Sequence, residues 1–151
     1  MNHLETVRTH QNAAVGQRTL AERQFEDLWV ALEPYGGLDG GDHLARSFGA
    51  RFGTRLGDLA RRIVCGDLIA IEHRGEYWLP RLQFAAASDA MNPLLVPVVA
   101  ELKDVLDAAD LCWWLISPNV ALAGEIPVER LACDARGVVD AARVERFIVR
   151  L

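Results

Sequence analysis

The side chains able to do chemistry in this chain are scattered. Histidines stand at His3, His10, His43 and His73. The first two precede the first patterned segment, the third sits in a short capped turn, and the fourth lies at a hairpin tip. None falls in a pattern that pairs a nucleophile with a base, and no two carboxylates are spaced as an acid and base working across one substrate. Cys65, Cys112 and Cys133 lack the short spacing of a structural zinc site and form no CxxC pair. Asp104, Asp107 and Asp110 lack the Gly and the closing Glu of a calcium loop. Gly36-Gly37 and Gly40-Gly41 resemble a phosphate loop only loosely, because no Gly-Lys-Ser/Thr follows, and they read as flexible turns. The expectation is a protein that is not an enzyme, with no catalytic residue, no metal and no cofactor.

What the chain carries instead is a run of shape-makers from Trp114 to Leu131, punctuated by Pro118, Asn119, Gly124 and Pro127. These residues frame a short helix between two turns and offer a surface rather than a reaction. Just before it, Trp113 and Trp114 point about 100° apart on a helix, so they cannot face one core equally. One anchors the helical region and the other fits a protein interface, where Trp is enriched; burial of both between helices is the plainer alternative.

Composition sets the frame for these surfaces. With 151 residues, 51% hydrophobic and 25% charged, the chain suits one folded domain or two very small ones. The polar N-terminus and the lack of a long apolar run predict a cytoplasmic protein with no membrane association, its three cysteines being buried thiols. The net charge of −5 is unevenly spread: residues 1–42 carry −4, residues 43–81 carry +3 and the remainder −4. A basic middle between acidic flanks suits a subregion that meets phosphate.

The elements that must position these groups are largely helical. Residues 1–18 read as a loose tail. Thr19 and Glu22 form a capping box opening a helix with Phe25, Leu28, Trp29 and Leu32 on one face, ended by Pro34 and Gly36-Gly37. Asp42 caps a short helix stopped by Gly49; Phe52-Gly53 turns into Thr54, the cap of a second helix with Leu56, Leu59 and Ile63 inward. Leu68 to Ile71 and Tyr77 to Leu79 predict a β-hairpin about His73-Arg74-Gly75-Glu76, bounded by Pro80. The fold class is therefore mainly α: a helix-turn-helix-like region with a small hairpin over 19–84, then a helical region over 92–151. In that second region Asn92-Pro93 opens a helix with Leu95 through Leu106 on its face, Asp110 caps the next, and Asp134 to Leu151 forms the last, with Val138, Ala142, Phe147 and Leu151 inward.

The helix-turn-helix suggests DNA contact through Thr54, Arg55, Asp58, Arg61 and Arg62, with Arg74 on the hairpin in the place of a wing. The same residues fit a solvated helix face. A small-ligand module built on the tryptophans lacks any convergent polar group.

The order Trp114-Leu115, Pro118-Asn119, Leu122, Gly124, Pro127 and Leu131 resembles the toxin-binding domain of the Xre/MbcA/ParS-type antitoxins. Trp78-Leu79-Pro80-Arg81-Leu82-Gln83-Phe84 is similar to that family's link between its DNA-binding and toxin-binding parts. The likeness spans roughly residues 38 to 151, leaving the first helix for dimerisation. It implies an antitoxin that neutralises a RES-domain toxin, a class that consumes NAD, and that represses its own operon as a homodimer or higher oligomer. A surface bearing Trp114, Asn119 and the Gly124 to Pro127 turn would then dock on the toxin and occlude its cleft. By the same resemblance the last helix takes part, with Arg143 and Phe147 as contacts. A stand-alone helix-turn-helix regulator without a toxin partner is the alternative, motivated by the basic middle segment.

Overall fold

The computed structural model describes residues 19–52, 56–85 and 90–151. The expected tail over 1–18, the cap Thr54 and its neighbour Arg55 lie outside the described residues. The fold is 60% helical, with a small three-stranded antiparallel sheet.

Helix α1 (Leu20–Leu32) opens on the expected capping box. The Thr19 amide donates to Glu22 Oε2 at 2.9 Å while the Glu22 amide donates to Thr19 Oγ1 at 3.2 Å. A 3-10 turn (Glu33–Tyr35) and the left-handed residues Gly36 and Gly37 end it. The chain then enters a strand, β1 (Leu38–Gly40), where the sequence suggested only a flexible turn. This strand is paired antiparallel to β3, Leu38 opposite Pro80 and Gly40 opposite Trp78. Three residues are too few for a period-two pattern to register.

Helix α2 (Gly41–Phe52) runs through Gly49, which was expected to stop it. Helix α3 (Leu56–Val64) does end as expected. Gly66 takes φ +70, and the Asp67 amide reaches back to the Arg62 carbonyl at 2.9 Å, a six-to-one closure that occupies an otherwise orphaned carbonyl. Leu68 and Ile69, expected to be strand, are instead buried in the connection. The hairpin turn is tighter than predicted: β2 (Ile71–His73) lies later than expected, β3 (Glu76–Pro80) extends further at both ends, and they join through Arg74 and Gly75, both at positive φ, as in a type I′ turn. Strand order is β1-β3-β2. Helix, strand, two helices and a hairpin whose second strand pairs with β1 follow in order, with the hairpin in the place expected for a wing.

The second half holds α4 (Val96–Leu102), α5 (Ala108–Ile116), a 3-10 turn (Val120–Leu122), α6 (Pro127–Arg130) and α7 (Ala135–Val149). Two caps are displaced from expectation. Asn92 accepts from the Leu94 amide in a local turn at 3.0 Å, and the helix begins only at Val96. The cap of α5 is Asp107, accepting from the Asp110 amide at 2.8 Å. Asp and Asn can each close such turns, so sequence alone leaves the register of the cap open.

The division expected near 85–91 does not divide the core. Leu28 and Leu32 of α1, Leu38 of β1, and Ile69 and Ile71 share one buried cluster with residues of α4, α5 and α7. A smaller cluster, Leu44, Leu59, Leu68, Leu79 and Phe84, lies under the helix-turn-helix. Gln83, fully buried, links the two sides of the sheet region. It accepts from the Ile69 amide at 2.8 Å and donates to the Ile69 carbonyl at 2.9 Å, satisfying two backbone groups outside the strands.

Candidate functional site

The stretch from Trp114 to Leu131 divides into buried framework and exposed surface. Leu115, Leu122, Pro127 and Leu131 are buried. Pro127 is the first residue of α6 and seats it against the core, so it shapes the surface without reaching a partner. Asn119 is likewise occupied within the turn. Its Oδ1 accepts from the Ala121 amide at 2.9 Å and its carbonyl from the Gly124 amide at 2.8 Å. Ala123 and Gly124 are both left-handed, φ 56 and 86, and Gly124 is exposed at the tip.

Arg130 ties this loop to the last helix, with one nitrogen on Glu125 at 2.6 Å and another on Asp134 at 3.1 Å. Asp134 caps α7 through the Gly137 amide at 2.9 Å. That amide first, and Arg130 second, hold the Asp134 carboxyl below the usual carboxylate range. A Cβ at Gly137 would fall on the Asp134 carboxylate, so any other residue there forces the capping side chain to move.

Helix α7 presents three faces. Val138, Ala141 and Ala142 are buried against the core. Val144, Phe147 and Ile148, within about 100° of arc on the outer side, are 47%, 67% and 55% exposed. The inward placement expected for Phe147 and Leu151 is therefore wrong: the inner face continues from Val138 through Ala141 and Ala142, and Phe147 lies on the opposite side. Leu151 is also exposed, as is Val120 on the facing turn. Between them runs an apolar groove of about 470 Å3 lined by Trp114, Pro118, Val120, Ala141, Val144 and Ile148, with Glu145 on its wall.

Trp114 is half-buried in that groove, its indole Nε1 out of solvent and without a hydrogen-bond partner among the described residues. Trp113, its neighbour, is the more exposed of the two at 37%. Arg143 is held by Glu101 at 3.0 Å and Asp140 at 2.9 Å. Arg146 shares Glu101 at 3.0 Å, and these two guanidinium groups keep the Glu101 carboxyl below its ordinary range.

The winged half brings its predicted residues together only in part. Asp58 and Arg61 are exposed on α3, and Arg62 is half-buried. Arg74 at the wing tip is bound to Glu22 of α1, whose carboxyl is held low by that contact first and by the Thr19 amide second. Behind it His73 stacks on Phe25, ring centres 3.9 Å apart, and Trp29 meets Trp78 edge to face at 5.3 Å. The wing is thus packed onto α1, with exposed Glu72 and Glu76 on either side of Arg74.

Cys112 is buried, its thiol pushed up to about 12 by desolvation and then by Asp107, whereas Cys65 and Cys133 are exposed rather than buried as expected. No group of His, Cys, Asp and Glu able to hold a metal is found among the described residues. No helix among them is long and apolar enough to cross a membrane.

Sequence reasoning missed Val120, Val144 and Ile148. Their placement follows from the same helical period once the inner face is fixed by Val138, Ala141 and Ala142. No family model, curated protein or solved structure matches this chain.

Proposed function

We propose that the chain is a protein-binding antitoxin that holds a toxin of the RES class on the outer face of α7 and the adjoining Asn119 to Gly124 turn. One observation carries this reading: Val120, Val144 and Ile148 are exposed along one apolar groove, and Phe147 and Leu151 are exposed at the same end of the chain. Surface patches of this kind mark interaction sites on soluble proteins. Trp114, Pro118 and Val120, from the stretch that resembles an antitoxin's toxin-binding domain, line one side of that groove, and the last helix lines the other. Neutralisation on this reading is steric, the helical surface lying over the toxin's cleft; no group of this chain takes part in chemistry.

Co-expression with the product of the adjoining reading frame tests it. The expected result is relief of that protein's growth arrest and co-purification of the two. Persistent arrest with no complex would refute the reading.

The winged arrangement favours a coupled second activity, repression of the chain's own operon. Asp58 and Arg61 on α3 and Arg74 on the wing would lie on the face such modules turn to DNA. Binding of the operon's own promoter fragment should fall steeply with salt if phosphates are engaged, and a flat response would count against it.

A further inference from the structure

The outer face of α7 has a charged border on one side only. Arg136, Arg143, Arg146 and Arg150 fall within about 80° of arc, directly beside Phe147. Arg143 and Arg146 are answered within the chain by Glu101 and Asp140. Arg136 and Arg150 are exposed and have no acidic partner among the described residues. They stand fourteen residues apart, about 21 Å along the helix: Arg150 lies within the exposed apolar run from Val144 to Leu151, and Arg136 about two turns before it. The opposite border is the groove, whose wall carries Glu145.

We propose that the surface which covers this face is an apolar patch of a partner protein bordered by carboxylates that pair with Arg136 and Arg150. This rests on the antitoxin reading for the identity of the partner and adds the chemistry by which the partner is chosen. A second copy of this chain is the wrong occupant for an antiparallel pairing of two α7 helices. Like edges meet in such a twofold pair, so the arginine edge of one copy would run along the arginine edge of the other. Like charges at close range oppose association and select against that partner. An acidic border turns the same edge into an attraction. It raises the encounter rate and fixes the orientation of the patch on the helix.

The test uses the full chain and the product of the adjoining reading frame, with binding measured at low and high salt for the wild type, R136E/R150E and R136Q/R150Q. Both side chains are exposed and have no ion pair among the described residues, so the variants should melt with the wild type, and the neutral pair covers the case in which the reversed pair folds poorly. Reversal is expected to weaken binding by about tenfold or more at low salt, with the difference shrinking as salt screens the pairs. A wild-type complex indifferent to both variants and to salt would overturn the inference and leave the antitoxin reading standing. A self-associated wild type that becomes monomeric on Phe147→Asp would also overturn it, since the face would then be covered by a second copy. Absence of any complex at low salt would remove the antitoxin reading and this inference together.

Discussion

Replacing Phe147 with Ala separates binding from folding. The side chain is 67% exposed in the free protein, so about two-thirds of the roughly 2–3 kcal/mol gained by fully burying a Phe is still to be realised. Covered by a partner, it would contribute about 1–2 kcal/mol, and its loss should weaken the complex roughly 5- to 30-fold. Folding has little at stake. A substitution at so exposed a position ordinarily moves stability by about 0.5 kcal/mol or less. The comparison is Leu115→Ala, in the same half but fully buried, which should cost about 2–5 kcal/mol of folding stability through lost transfer energy and the cavity left behind. Calorimetric titration against the partner, with thermal unfolding of each variant alone, reads both quantities. If Phe147→Ala lowers the melting temperature as much as Leu115→Ala and leaves affinity untouched, Phe147 is packing and the outer face of α7 is not a docking surface.

Three further outcomes follow from the interior. Gln83→Leu strands the buried amide and carbonyl of Ile69 at about 1–3 kcal/mol each; thermal unfolding should shift down by about 3 °C for each kcal/mol lost, and an unshifted transition would mean that water replaces the amide there. A thiol reagent should find Cys65 and Cys133 in the native protein and reach Cys112 only after unfolding, so rapid native reaction of all three would contradict the burial of Cys112. Glu22, Glu101 and Asp134 all have carboxyls lowered by their partners in the folded state; their stabilisation is complete above the unfolded range of about 4 and is lost as pH falls through the lower folded values. Urea midpoints should therefore drop on acidification, and the triple variant E22Q/E101Q/D134N should flatten that drop; an unchanged slope would show that other carboxylates dominate.

The legible parts of this chain were those in which a local rule acts alone. The Thr19 and Glu22 box and the Gly66 terminator are each fixed by residues within five positions of one another, and each stands as read. Features set by distant partners were not legible. Strand β1 exists because β3 arrives to pair with it, and Gly49 stays helical although glycine favours a stop. Phe147 departs from its expected inward placement for a different reason: apolar character predicts burial only where another element of the chain packs over it, and Phe147 is exposed. The Trp114 to Leu131 pattern was readable because most of its members are framework. Leu115, Leu122, Pro127 and Leu131 build the scaffold and Asn119 closes its turn, while the exposed groove residues Val120, Val144 and Ile148 carry no pattern beyond exposure.

The placement of α1 limits how this protein can be taken apart. Leu28 and Leu32 of that helix lie in the cluster formed by α4, α5 and α7, while Phe25 and Glu22 of the same helix hold the wing. Tyr35, just beyond it, donates to Glu129 of α6 at 2.8 Å. A cut near residue 90 would strip the helical half of part of its interior and leave the winged half with an apolar helix face bared to water. The chain is therefore not modular in the way its linear order suggests. Recombination could exchange its surfaces only together, and any ligand that tightens one half draws on the same helix that braces the other.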